Sequence, residues 1–365
     1  MFSLLLTGDV MLGRGIDQIQ AYPCDPAIPD RRVTSARDFV RAAEQRNGPI
    51  PSPVDPAYVW GDALPVLEEL RPDVRIINLE TAVTTAPIPA TKQITYRMNP
   101  ANVEVLRAFR PDCCVLANNH VLDWGEDGLV ETLATLDNAS IGRAGAGYNA
   151  GDAWRAKVLP HPGGGRVIVL GMADGSSGVP AGWAAREGNP GVARLEGSID
   201  ACVAKAANAI HAVKSEGDFS VASIHWGPNW GYRISSGQVE FARKLIDHAG
   251  IDMVHGHSSH HPQQMALHRG RLIMFGGGDL INDYEGIAGH EDFCPDIVAM
   301  YLLRIENSLV REVSILPFRI RRFRLERGTL ADAKWLADRV NQHSANFKTA
   351  WVAKPDATLK LVRVQ

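Results

Sequence analysis

Short apolar runs recur along the chain, and each breaks off at a polar or glycine-containing turn. The first, Ser3 to Leu6, stops at Thr7-Gly8-Asp9. A run this short, closed by a turn, is a buried strand. The same pattern places strands at 75–77, 113–116, 167–170, 219–224, 253–254 and 272–275. Between them the period lengthens to that of a helix, at 101–109, 127–137 and 235–249. Ser198 caps another, with Ile199, Val203, Ala206, Ile210 and Val213 along one face. Two long alternating segments (297–306 and 309–325) and a helix near 330–343 follow. Strands alternating with helices predict an α/β sandwich. Residues 21–57 break this rhythm with prolines and charges, and hold one short helix near 36–45. Such an insertion is either a binding lid or a passive surface excursion.

The polar residues fall at telling places. Asp9, Glu80, Asn119, His120, His225, His257 and Asp279 each stand at or just past the end of a predicted strand. In open α/β sheets that is where ligands bind. The loop 255–261, His-Gly-His-Ser-Ser-His-His, holds four of the chain's twelve histidines. Carboxylate, carboxamide and neutral imidazole on rigid loops are what divalent cations require. Asn118-Asn119-His120 sets amides beside an imidazole, which suits bridging or polarising a bound group. Arg14 is either a bidentate clamp for an anion or half of a surface ion pair. Trp226, Trp230 and Tyr232 either wall a substrate pocket or pack in the core. His290 either reaches the site as an acid or base or is an isolated loop histidine.

Composition narrows the field. With 365 residues, 45% hydrophobic and 22% charged, the chain suits one large domain over residues 1–325, with the insertion at 21–57 and a helical appendage at 326–365. A net charge of −3 gives no field that would gather nucleic acid or an anionic membrane. The arginines at 319, 321, 322 and 324 alternate with apolar residues and read as a solvated strand face. The apolar start of the chain is too short for a secretory leader or a span, so the expected location is the cytoplasm, with no membrane partner. Five cysteines, two of them adjacent at 113 and 114, suit reduced core thiols.

Read in order, the loops are GDVMLGR (8–14), NLE (78–80), NNHVLDWGEDGL (118–129), GAG (145–147), HWG (225–227), GHSSHHPQ (256–263) and GGGDLINDYEG (276–286). Their succession resembles the CapA family of poly-γ-glutamate capsule synthesis, on the calcineurin-like metallophosphoesterase scaffold. That resemblance implies two mixed sheets flanked by helices. It also implies a metal site at Asp9, Glu80, Asn119, His225, His257 and His260, with His120 beside it. Catalytic roles then fall to Asp9, His120, His257, His260, Asp279 and His290, and substrate contacts to Arg14, Asn118, Trp226 and Trp230. Two departures stand out. The superfamily's first loop carries Asp-x-His, where this chain has Met11. Its late Gly-Asn is replaced here by Gly278-Asp279. Together they point to one strong site, open to calcium, magnesium, manganese or zinc.

Three functions are compatible with these residues. A metal-activated water hydrolyses an amide, the resemblance favouring a γ-glutamyl or other peptide substrate over a phosphoester. Alternatively, paired histidines and aspartates invert the Cα of a peptide residue, as CapA-like proteins of lasso-peptide pathways do. The third is a binding module that has kept the scaffold but lost the chemistry. The oligomeric state is open.

Overall fold

The computed structural model describes residues 1–29 and 33–363. Three residues of the insertion and the last two of the chain lie outside it. The chain enters through four parallel strands, β1 (Phe2–Val10), β2 (Val74–Leu79), β3 (Cys113–Val115) and β4 (Gly142–Ala144). It then builds a second sheet from β5 (Lys157–Pro160), β6 (Arg166–Ala173), β7 (Phe219–His225), β8 (Met253–His257), β9 (Met265–His268) and β10 (Arg271–Met274). Finally it returns to the first sheet with β11 (Asp279–Ile281), β12 (Ile297–Glu306), β13 (Leu309–Arg321), β14 (Arg324–Arg327), β15 (Thr349–Ala353) and β16 (Leu359–Arg363). The first sheet runs β15-β16-β13-β12-β1-β2-β3-β4, with β11 also on β1 and β14 on β13. The second runs β9-β10-β8-β7-β6-β5. Both mix parallel and antiparallel pairs.

Period-2 alternation explains why the sheets stack. Leu4 and Leu6 of β1, Ile76 of β2 and Val115 of β3 point to one side, where they meet Val167, Val169, Val221 and Met253 of the second sheet. The intervening Leu5, Ile77 and Cys114 point outward, under the helices Ala63–Leu70, Glu104–Phe109 and Gly125–Asn138. On the far side Ile168, Leu170, Ala222 and Val254 lie beneath Ile199–His211 and Ser236–His248. The result is a four-layer sandwich, helix-sheet-sheet-helix, as the sequence pattern predicts. Both outer helices start where the sequence indicates: the Ser198 and Ser235 hydroxyls each accept a backbone N–H of the first turn.

The segment after residue 325 differs from a purely helical appendage. It holds the helix Leu330–Asn341, and its hairpin β15–β16 extends the first sheet along β13. Trp351 and Leu359 enter the core between the sheets. Cys113 and Cys114 are buried free thiols, as expected. No helix among the described residues is long and apolar enough to cross a membrane.

Candidate metal centre

The parallel strands of both sheets end on the same edge of the sandwich, and there the polar residues converge. Asp9 is the penultimate residue of β1, and beside it in register lie Asn78 of β2 and Asp279 of β11. From the second sheet, His225 ends β7 and His257 ends β8, paired in register. Gly8 makes the approach possible: a Cβ there would lie 1.7 Å from the Gly278 carbonyl oxygen. That oxygen instead accepts the Asp9 N–H at 2.8 Å, which holds Asp279 beside Asp9.

Asp9 is fully buried. Its Oδ1 accepts from Asn78 Nδ2 at 2.7 Å, and the same amide reaches Glu80 Oε2 at 3.0 Å. Asp9 Oδ2 has no hydrogen-bond partner among the described residues. Two sets of donor atoms surround it, Asp9–His225–His257 and Asp9–His260–Asp279. Both sets could hold a metal ion. Where the sequence points to one strong site, the structure has two donor sets sharing one carboxylate.

Electrostatics separate the two sets. Burial pushes His225 and His257 well below the ordinary imidazole value, so both are neutral with lone pairs to give. Burial and then the Asp279 charge push Asp9 up to about 7, against the opposing effects of Glu80, His260 and Asn78. Glu80 is raised for the same reasons, burial first and Asp9 second. A cluster of buried carboxylates and neutral imidazoles around an unpartnered oxygen fits a divalent cation. His260 differs: its Nδ1 lies 2.9 Å from Asp279 Oδ1, and Asp279 raises its pKa against the opposing effect of burial. Asn282 Nδ2 donates to the other Asp279 oxygen at 2.7 Å.

A second histidine–carboxylate pair stands on the other flank. His120 Nδ1 is 2.7 Å from Asp123 Oδ2, and its Nε2 is 3.9 Å from Glu80 Oε1. Burial lowers this imidazole to about 4, with Asp123 opposing and Lys92 assisting. Lys92 Nζ donates to Asp123 Oδ1 at 2.6 Å and also to the Asn119 carbonyl. Asn119 Oδ1 lies 3.1 Å from His225 Nε2.

The remaining predicted residues spread out. Asn118 is consumed by the loop itself, its amide donating to Asn78 and the Leu79 carbonyl while its oxygen accepts from His120 and Val121. Arg14 clamps no open site: its guanidinium forks onto buried Asp283 and lies between the rings of Phe39 and Tyr96. Trp226 belongs to the core, packed on Phe241 and Phe275 with its indole N–H on the Phe275 carbonyl. Trp230 is nearer the chemistry, 5.4 Å from the His260 ring. His290 stacks flat on Trp230 at 3.9 Å, one ring further out. Met11 is buried under the Tyr284 hydroxyl, whose oxygen also lies 3.3 Å from His260 Nε2.

Several participants escape a reading of the sequence. Asn78 and Asp123 sit inside the NLE and NNHVLDWGEDGL loops, so those loops carried the signal. Lys92 comes from an irregular stretch with no pattern, and only the fold brings it to Asp123.

Fold and site together define a two-sheet α/β sandwich with a buried histidine–carboxylate cluster suited to a divalent ion. The chain belongs to the family described as bacterial capsule synthesis protein PGA_cap, whose model matches residues 3–284. It is 45% identical over 364 residues to a "probable polyglutamine synthesis accessory protein" of Mycobacterium tuberculosis, covering 99% of this chain and 96% of that one. The "PGA biosynthesis protein CapA" of Bacillus subtilis is 28% identical over 194 residues, 53% of this chain and 48% of its own length. The "capsule biosynthesis protein CapA" of Bacillus anthracis is 25% identical over 312 residues, 85% of this chain and 66% of its own. The resemblance to the CapA family drawn from the loop motifs therefore holds.

Proposed function

We propose that this chain is a divalent-metal-dependent enzyme on a calcineurin-like scaffold, acting on γ-glutamyl or other peptide material, with hydrolysis its reaction. The observation that carries this reading is a fully buried Asp9 carboxylate, one oxygen of which has no hydrogen-bond partner among the described residues, grouped within 4.8 Å with donor nitrogens of His225 and His257. Asp9, His225 and His257 would hold the ion, with Glu80 and Asn119 next to them. Two imidazoles and a carboxylate favour zinc or manganese over calcium. When bound, such an ion supplies Lewis acidity toward a carbonyl and lowers the pKa of water. The peptide substrate is supported by the polyglutamate-related names of the relatives.

The chain's own residues supply the proton chemistry. His260, its pKa raised by Asp279 against the opposing effect of burial, would give a proton to a leaving amine. His120, neutral and oriented by Asp123, is placed to take one. Trp230 offers a flat face beside His260 for the substrate backbone.

A second reading, epimerisation at a peptide Cα, is favoured by one feature. Two histidine–carboxylate pairs flank the Asp9–Glu80 carboxylates, one imidazole with its pKa raised and the other with its pKa lowered. That is the complement needed to remove a proton on one side and return one on the other. Mass spectrometry of γ-glutamyl and other peptides incubated with the manganese- or zinc-loaded protein in heavy water separates the readings. Shortened peptides support hydrolysis, and intact peptides carrying one Cα deuterium support epimerisation. Unaltered peptides with either ion would refute both.

A further inference from the structure

We propose that His255 and Ser223 are positioning residues that set the tautomer of His257 and so turn its Nδ1 lone pair toward the site. The proposal rests on reading that site as a metal centre. His255 and His257 are two residues apart on β8 and therefore face the same side. Across from them on β7, Ser223 is in register with His255 and His225 with His257. All four side chains and Thr7 are fully buried, so bulk solvent does not substitute for a missing partner.

The proton positions follow link by link from a fixed end. The Thr7 carbonyl oxygen of β1 can only accept, and His255 Nε2 lies 2.8 Å from it, so His255 carries its hydrogen on Nε2. His255 has no carboxylate partner among the described residues, and a second proton would leave an uncompensated charge in the core. Its Nδ1 is therefore an acceptor. Ser223 Oγ stands 2.9 Å away and gives its one hydrogen to that nitrogen. The hydroxyl then has only lone pairs for its other neighbour, His257 Nε2 at 3.0 Å, which must bring the hydrogen. A neutral imidazole protonated on Nε2 has its lone pair on Nδ1. His257 Nδ1 faces His225 Nδ1 at 2.8 Å, so in the metal-free chain its lone pair accepts the His225 hydrogen, and an ion would compete for it.

A backbone carbonyl at one end thus dictates a lone pair at the other through two side chains outside the candidate donor sets. Ligating histidines are commonly held this way by a partner on the second nitrogen, and losing that partner costs about 10–100-fold in metal affinity. Here the partner is a hydroxyl that would serve either tautomer equally well, and His255 removes that freedom.

The test uses the full chain labelled with ¹⁵N-histidine and stripped of metal by a chelator. Long-range ¹H–¹⁵N spectra report which ring nitrogen of His257 carries hydrogen. The expected result is hydrogen on Nε2 in the wild type, partial loss of that preference in Ser223→Ala, and its retention in Ser223→Thr. Manganese affinity, measured by calorimetry, is expected to fall about tenfold or more in Ser223→Ala and to survive in Ser223→Thr. Hydrogen on Nδ1 of His257 in the wild type would overturn the proposal, and that measurement needs no variant to fold. So would a Ser223→Ala chain with unchanged tautomer and affinity. A wild-type chain with the expected tautomer that binds no ion would instead overturn the metal reading.

Discussion

Replacing Asp9 by Asn should stabilise the metal-free protein while abolishing its response to metal. Asp9 is fully buried, one of its oxygens lacks a hydrogen-bond partner among the described residues, and the Asp279 charge stands beside it. Its carboxyl is accordingly raised from 3.8 to about 7. A rise of that size means that ionising Asp9 in the folded chain costs about 4 kcal/mol more than in the unfolded one. The sign follows from linkage. At acid pH the carboxyl is protonated in both states and carries no penalty; as pH climbs from about 4 through about 7 the unfolded state ionises first and the metal-free fold loses stability. An asparagine keeps an oxygen for Asn78 and offers an N–H to Glu80, so it removes the penalty without opening a cavity. Easier ionisation of Glu80 adds to the gain and loss of the Asp9 charge beside His260 subtracts from it, leaving about 2–4 kcal/mol near pH 8, or about 3–5 °C for a chain of this size. Urea denaturation in a chelator, near pH 8 and again near pH 4.5, measures the difference. With manganese at about 100 times its dissociation constant, the wild type should regain about 2.7 kcal/mol and the variant nothing. An Asp9→Asn chain less stable than wild type near pH 8, or equally favoured at both pH values, would refute the reasoning.

Three further changes probe the surroundings. Gly8→Ala drives a methyl into the Gly278 carbonyl, so it should cost about 2 kcal/mol or more and weaken metal binding, read by thermal melts and calorimetry. Asp283→Asn leaves the Arg14 guanidinium buried without its carboxylate and should lower the urea-unfolding free energy by about 3–5 kcal/mol; a neutral result would mean that Arg14 turns to another anion. Lys92→Met removes the cation that helps to hold His120 near 4. The acid limb of the pH–rate profile should therefore move upward, and an unmoved limb would exclude His120 as the base.

Where the sequence was informative, the physics was local. The strands Phe2–Val10, Val74–Leu79, Phe219–His225 and Met253–His257 are short apolar runs with a candidate ligand at or just past the end, so Asp9, Glu80, His225 and His257 are visible without a partner. The outer helices carry their own caps and faces. What stayed hidden depends on distant contacts. Arg14 looks like a free anion clamp until Asp283, 269 residues away, is seen to neutralise it. Trp226 looks like a pocket wall, yet its indole is held by Phe275, 49 residues on. The strands Gly142–Ala144 and Asp279–Ile281 have only three residues each, too few for alternation to register. The hairpin after the last helix carries a Pro-Asp turn between two modest strands, and only its pairing with β13 makes it part of the sheet.

The central claim is that the Asp9–His225–His257 cluster binds a divalent ion. Calorimetric titration of the chelator-treated chain with manganese and with zinc, repeated on His225→Ala, tests it most directly. Saturable binding of at least one ion by the wild type is expected, with its loss in a variant that still folds. Absence of binding by the wild type with both ions, or equal binding by the variant, would contradict it.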